Sequence, residues 1–71
     1  MARLDKRAFK AAREARGITQ QELADALGVE QPTVQRWESG RRAPKTVDML
    51  VRLCDALDVS ADLLLGRERK Q

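Results

Sequence analysis

Polar side chains that can recognise a partner by hydrogen bonds lie close together in the middle of the chain, at Gln31, Thr33, Gln35 and Arg36. A glutamine amide can pair bidentately with N6 and N7 of adenine, and an arginine guanidinium can pair with O6 and N7 of guanine or hold a phosphate. A threonine offers a hydroxyl and a methyl group to a thymine edge or to the sugar-phosphate backbone. These side chains therefore suggest recognition of nucleotide edges, although ordinary solvent-exposed helix residues would have the same composition.

Residues that support catalysis or metal binding are scarce. The chain has no histidine and a single cysteine, Cys54, which we expect to be a core thiol. An internal disulfide is thus excluded, and the usual nitrogen and sulfur metal sites cannot form. No nucleophile paired with a base and no phosphate-binding glycine loop is recognisable. We expect no metal, no cofactor and no enzymatic activity.

The recognition residues belong to the second of two short helical patterns in residues 19–40, TQQELADALGVEQPTVQRWESG, which meet at Gly28 and Val29. Helices joined by so short a turn cross steeply, so the second projects from the body with its outer face free to enter a DNA major groove. Its inward positions are Val34 and Trp37, three residues apart. Its other faces carry Gln31, Pro32, Thr33, Gln35 and Arg36.

The rest of the sequence predicts further helices and no strands, because alanine and leucine supply most apolar residues and β-branched runs are missing. Cap residues, closing glycines and apolar spacing place five helices at about 5–16, 20–27, 31–39, 47–57 and 61–65. We therefore predict an all-α fold in which residues 1–71 form one domain with a basic tail at 67–71. The expected core positions are Phe9, Ala12 and Ala8 in the first helix, and Val47, Leu50, Leu53, Cys54 and Leu57 in the fourth.

Charge is unevenly distributed along the chain, although the net charge is only +3. Basic residues crowd the first helix and the segment 36–45, whereas acidic residues gather after position 47. A folded molecule could thus turn a basic side to a polyanion; well-solvated helix faces are the plainer alternative. We expect Arg41, Arg42 and Lys45, which follow the third helix, to neutralise DNA phosphates.

Three blocks of the sequence, AREARGITQQELADALGV, VQRWESGRRAP and LVRLCDALDVSADLLLG, occur in the order and spacing of a known family. With them the chain resembles the lambda-repressor-like helix-turn-helix family (the Cro/C1-type or XRE family) of phage repressors, Cro proteins and small bacterial regulators. The resemblance implies a five-helix bundle whose second and third helices form the reading unit. It also implies that the third helix lies in the major groove, the docking geometry described for phage members.

The resemblance assigns DNA-binding roles to individual positions. It implies a base contact by Gln31. On the same helix we expect further base contacts by Pro32, Thr33, Gln35 and Arg36, with a contact to the DNA backbone as the alternative for Thr33 and Arg36. It implies a phosphate contact by Gln20, with a second capping contact as the alternative. We expect Thr19 to contact phosphate beside it, where the N–H groups at the start of the second helix add the positive end of the helix dipole.

Other matching positions concern packing. The resemblance pairs Arg13 with Glu38 in a partly buried ion pair that orients the third helix, and it makes Trp37 a large apolar core residue. Two residues depart from the family pattern: Glu30 stands where Ser or Thr usually caps the third helix, and Asp58 stands where glycine often ends the fourth. A carboxylate at Glu30 suits the helix dipole but repels nearby phosphate. Asp58 is expected to carry some strain in a left-handed conformation.

Together these features predict a sequence-specific transcriptional regulator, a repressor that binds a pseudo-palindromic operator on double-stranded DNA as a homodimer. The dimer surface is expected at Leu64, Leu65 and the tail, although Leu63 and Leu64 could both be core. Two alternatives stay open: a protein-interaction module such as an antitoxin, and the DNA-binding fragment of a longer regulator. No secretory or membrane-spanning segment is recognisable, so we expect a cytoplasmic protein encoded by a bacterium or a phage.

Overall fold

The structure, a computed structural model, describes residues 4–66. Five helices occupy this region: α1 (Lys6–Arg16), α2 (Gln20–Leu27), α3 (Gln31–Ser39), α4 (Val47–Leu57) and α5 (Ala61–Leu64). No strand occurs in residues 4–66, and the all-α prediction is confirmed. None of the helices in this part of the chain is long and apolar enough to cross a membrane. The tail predicted at 67–71 lies outside the described residues.

Local capping explains where the first two helices begin. Asp5 Oδ1 accepts hydrogen bonds from the N–H groups of Arg7 and Ala8 at 3.0 and 3.1 Å, so Asp5 caps α1 and the helix starts one residue later than predicted. Thr19 and Glu22 form a capping box at the start of α2. Thr19 Oγ1 accepts from the N–H of Glu22 at 3.0 Å, and the Glu22 carboxylate accepts from the N–H of Thr19 at 2.8 Å. Each cap satisfies backbone donors that have no partner within the helix.

An apolar core holds the five helices together. Phe9 of α1, Val34 of α3 and Leu53 of α4 are fully buried in it. The rings of Phe9 and Trp37 lie with centroids 6.4 Å apart and an interplanar angle of 50°, a tilted arrangement that aromatic pairs favour. The other buried members are Ala12, Leu23, Ala24, Leu27, Cys54, Leu57 and Leu64. The core therefore fixes the inner side of α3 against α1.

The structure corrects one expectation about apolar residues, for Val47, and decides for the core alternative at Leu64. Val47, predicted on the core stripe of α4, is 77% exposed. It lies one helical turn before Val51, which is 50% exposed, so the two valines form a strip that is turned away from the core. Leu64, considered for the dimer surface, is fully buried because α5 packs against α1 and α4. Its neighbours Leu63 and Leu65 are both half-buried.

Two further residues of α4 and its end behave as predicted. Asp58 ends the helix in a left-handed conformation with a φ of 56°. Cys54 is a buried thiol in the core. Burial raises the pKa of this thiol, and the neighbouring carboxylate of Asp55 adds to the rise. The thiolate is therefore disfavoured, and Cys54 has the environment of a structural cysteine.

Candidate nucleic-acid interface

The turn between α2 and α3 sets the direction in which α3 projects. Gly28 has a φ of 73°, a left-handed conformation that glycine adopts readily because it has no Cβ. The N–H of Val29 donates to the carbonyl oxygen of Ala24 at 3.0 Å and closes the end of α2. Pro32 lies in the first turn of α3, where its missing N–H removes no helical hydrogen bond. Glu30 makes no side-chain cap, so the start of α3 rests on the backbone alone.

The residues predicted to contact bases lie on the solvent side of α3. Val34 and Trp37 are buried on its inner side. Gln31 and Gln35 are one helical turn apart and so share an outer face. Pro32, Gln35 and Arg36 are exposed, and Gln31 and Thr33 are half-buried. The structure thus brings the five predicted residues to one accessible end and side of the helix.

Positive charge flanks this face. Arg41, Arg42 and Lys45 are exposed in the segment after α3. The N–H groups of Arg41 and Arg42 donate to the carbonyl oxygen of Arg36 at 3.0 and 3.3 Å, which ties this segment to the end of α3. Arg36, Arg42 and Lys45 line one shallow groove together with Thr33. A polyanion that lies along α3 would meet these charges beside the polar side chains.

Three side chains of the site form one chain of hydrogen bonds. Nε2 of Gln31 donates to Oε1 of Gln20. Nε2 of Gln20 in turn donates to Oε1 of Glu38 at 3.0 Å. Gln20, the first residue of α2, is half-buried. The side chain of Gln20 therefore connects the first residue of α3 to Glu38, near the end of the same helix.

Arg13 holds the same carboxylate from α1. Its Nε group donates to Oε2 of Glu38 in an ion pair, and its Nη2 group donates to Oε1 of Glu38 at 3.4 Å. Its Nη1 group donates to the carbonyl oxygen of Ile18 at 2.7 Å. One guanidinium thus joins α1, the turn before α2, and α3. Throughout residues 4–66, no buried side-chain nitrogen or oxygen lacks a hydrogen-bond partner.

The link through Gln20 has no signal in the sequence. Gln20 is 11 residues from Gln31 and 18 from Glu38, and these contacts join different helices. Helical periodicity relates residues three or four apart on one helix, so it cannot reveal such a contact. The phosphate contact predicted for Gln20 would have to be made by an amide that already binds two neighbours.

Thr19, the other phosphate contact predicted at the start of α2, is exposed, and its hydroxyl oxygen serves as the helix cap. The cap uses this oxygen as an acceptor, which leaves the hydroxyl proton for another partner. Within the described part of the chain, no group of His, Cys, Asp and Glu side chains could hold a metal ion.

Sequence comparisons find relatives with the same helical region. The profile of the helix-turn-helix family matches residues 9–64. The cryptic phage CTXphi transcriptional repressor RstR of Vibrio cholerae is 40% identical over 55 residues, which cover 78% of this chain and 48% of that protein. The uncharacterized HTH-type transcriptional regulator YqaE of Bacillus subtilis is 37% identical over 63 residues, which cover 89% of this chain and 53% of that protein. The chain thus spans about half the length of the curated relatives it matches.

The fold is also similar to that of a protein solved on DNA. The P22 c2 repressor protein in complex with synthetic operator 9T superposes with a TM-score of 0.82 and 29% sequence identity. The match covers 93% of this chain and 98% of that chain. The profile match over residues 9–64 and the fold similarity fall on the same helical region, as the resemblance implied. The chain therefore belongs to the helix-turn-helix family and has its lambda-repressor-like fold.

Proposed function

We propose that this chain is a sequence-specific transcriptional regulator that places α3 in the major groove of a pseudo-palindromic operator and acts as a repressor. In this proposal the outer residues of α3 contact bases, and the start of α2 and the segment after α3 contact phosphates. The base-contacting residues are Gln31, Pro32, Thr33, Gln35 and Arg36. The phosphate-contacting residues are Thr19, Gln20, Arg41, Arg42 and Lys45.

The polar outer face of α3 is the observation that carries this proposal. Gln35 and Arg36 are exposed while Val34 and Trp37, on the same helix, are buried. An α-helix fits the major groove of B-form DNA, where amide and guanidinium groups distinguish base pairs by their donors and acceptors. The adjacent basic segment supplies contacts that carry no sequence information but position the helix.

The relatives support a regulatory role. The Vibrio cholerae protein is a transcriptional repressor, and the Bacillus subtilis protein is a transcriptional regulator. The P22 c2 repressor was solved on a synthetic operator. DNA binding by this chain is thus supported both by its geometry and by these relatives, and repression is supported by the relatives that are repressors.

A second copy of the chain completes the proposal. In helix-turn-helix dimers the two recognition helices read half-sites about 34 Å apart. The exposed valines Val47 and Val51 give α4 an apolar strip, and Val47 lines a groove with Leu4, Leu50 and Leu65. We place the dimer contact on this strip and not at Leu64.

Selection of bound sequences from a random pool of double-stranded DNA tests the function. We expect enriched palindromes, and an affinity that falls steeply as salt rises, because arginine and lysine contacts release counterions from phosphate. Gln35→Ala should change the enriched sequence. Its matched control is Gln21→Ala, because Gln21 is an exposed glutamine on α2 that donates to Asp25 at 2.9 Å and lies outside the proposed surface.

The alternative function, a protein-interaction module, predicts the opposite result of this selection. If no sequence is enriched even at low salt, sequence-specific DNA binding is wrong. A protein-interaction module such as an antitoxin would then be favoured, with Val47 and Val51 as the exposed apolar residues available to its partner.

A further inference from the structure

The hydrogen-bond chain from Glu38 through Gln20 to Gln31 has a direction. A carboxylate accepts hydrogen bonds and donates none, and the guanidinium of Arg13 pairs with this one. Gln20 must therefore turn its NH₂ group toward Glu38, as it does at 3.0 Å. Its amide oxygen consequently faces Gln31. Turning Gln20 around would bring two oxygen acceptors together with no proton between them.

The orientation of the Gln20 amide in turn fixes the orientation of the Gln31 amide. Because the oxygen of Gln20 is an acceptor, Gln31 must present its own NH₂ group there, and the structure has this contact. The Gln31 amide then keeps one N–H and its Oε1 atom for another partner. No hydrogen bond to this Oε1 is formed by residues 4–66. Gln31 thus offers one donor and one acceptor in a fixed arrangement.

A fixed donor and acceptor distinguish the two purines. Adenine presents an N6–H donor and an N7 acceptor in the major groove, which match the Oε1 and the remaining N–H of Gln31. Guanine presents two acceptors, O6 and N7, so one of them would face Oε1 of Gln31. Only reversal of the amide would give guanine two N–H groups. Reversal would break the contact with Gln20.

We infer that Glu38 is a positioning residue for base specificity: it fixes the orientation of Gln20, Gln20 fixes that of Gln31, and Gln31 thereby selects adenine over guanine. This inference rests on the proposed DNA-binding function. It assigns Glu38 a role in specificity that is separate from its ion pair with Arg13. The role of Gln20 is likewise separate from any phosphate contact, because a phosphate contact would affect all sequences alike.

We call the hydrogen-bond chain from Glu38 through Gln20 to Gln31 the relay. The first experiment removes the relay and keeps the ion pair of Arg13 with Glu38. The operator is taken from the random DNA pool, and the position read by Gln31 is the one whose preference Gln31→Ala abolishes. Duplexes with A·T or G·C at that position are then titrated. We expect the unsubstituted chain to prefer adenine by about tenfold, and Gln20→Met to reduce this ratio to about twofold or less. Gln21→Met, the same change at the neighbouring exposed glutamine, should leave the ratio unchanged.

The second experiment reverses the relay. In Glu38→Gln, the Nε group of Arg13 needs an acceptor where Oε2 of Glu38 now lies. The new amide therefore keeps its oxygen there and turns its NH₂ group to Gln20, which gives up only the longer contact from Nη2 of Arg13. Gln20 then presents its oxygen to the new amide and its NH₂ group to Gln31. The amide oxygen of Gln31 accepts this hydrogen bond, which leaves both N–H groups of Gln31 for the base. The preference should therefore turn from adenine toward guanine, a change that a loss of stability alone does not produce.

The outcomes separate the relay from the function. If Gln20→Met is folded and keeps the adenine ratio of the unsubstituted chain, the relay is wrong. If folded Glu38→Gln keeps that ratio, Glu38 has no role in specificity. If Glu38→Gln does not fold in a circular-dichroism melt, Arg13→Met/Glu38→Leu, which removes both charges together, replaces it: an adenine ratio like that of the unsubstituted chain would overturn the role of Glu38, and a reduced ratio would support it. Failure of the pool to yield any enriched site would overturn the proposed function, and the relay with it.

Discussion

The guanidinium of Arg13 and the carboxylate of Glu38 join α1 to α3 in an ion pair whose side chains are only 12% and 7% exposed. Such a pair contributes little net stability compared with apolar residues of the same size, because both charges lose their hydration. Removing one partner is different, because the other charge then stays buried without compensation. The pair therefore makes the orientation of α3 sensitive to either residue.

Glu38→Ala should lower the free energy of unfolding by about 3 to 5 kcal/mol, because it leaves the guanidinium of Arg13 uncompensated. A domain of this size has a stability of the same order, so a large fraction should be unfolded at 37 °C. Urea titration followed by circular dichroism measures the change. Glu14→Ala, at an exposed glutamate of α1, is the control.

The double variant Arg13→Met/Glu38→Leu should be more stable than Glu38→Ala, because it removes both charges. Unchanged melting of Glu38→Ala would contradict this account.

Gln35→Ala and Arg42→Ala should affect DNA binding in different ways. Loss of the Gln35 amide should relax preference at one operator position by about 1 to 3 kcal/mol. Loss of the Arg42 charge should weaken all sequences nearly alike and reduce the salt slope by about 1. Fluorescence titrations at several salt concentrations measure both effects. Arg52→Ala, at an exposed arginine of α4, is the control for a lost charge. A uniform loss from Gln35→Ala would show that Gln35 is not a base contact.

Val51→Glu should weaken binding to a palindromic operator by about tenfold or more, because the two-fold axis would bring two carboxylates together at the proposed dimer surface. Binding to an isolated half-site should change little. The comparison of palindrome and half-site in one titration measures this difference. Ala11→Glu adds the same charge at an exposed position of α1 and is the control. Equal losses in the two variants would mean that charge alone explains the effect and that α4 is not the dimer surface.

Asp58→Gly should stabilise the chain by about 0.5 to 1 kcal/mol. Asp58 has a φ of 56°, a left-handed conformation that glycine adopts without a Cβ penalty. Part of this gain is offset, because glycine has more freedom in the unfolded chain. The midpoint of urea unfolding measures the result. Asp55→Gly, one turn earlier within α4, should instead lose stability because glycine disfavours a helix interior. A lower midpoint for Asp58→Gly would show that the aspartate side chain has a role of its own.

The helices follow from the sequence because local chemistry sets their ends. The Thr19–Glu22 capping box starts α2, Gly28 ends it, and Pro32 marks the first turn of α3. Each of these signals acts within a few residues. Periodicity likewise predicts Val34 and Trp37 on the inner side of α3. What could be predicted was therefore the position of each helix and which side of α3 remains polar.

The features that the sequence did not predict arise where two helices meet. Val47 fits an apolar stripe as well as Leu53 does, and only the packing of α4 leaves the first 77% exposed and the second buried. The contact of Gln20 with Gln31 and Glu38 depends on the angle between α2 and α3, for which no spacing rule exists.

By itself, the sequence determined the five helices, their caps and the polar side chains that we propose to read DNA, because helix formation and hydrogen-bonding capacity depend on side chains and their near neighbours. Only the tertiary structure decided which of those residues bind one another, and hence which donors and acceptors remain for a base. The reason is that the direction of a hydrogen-bond chain is set where it begins. Here it begins at Glu38, whose carboxylate is held by Arg13 of another helix.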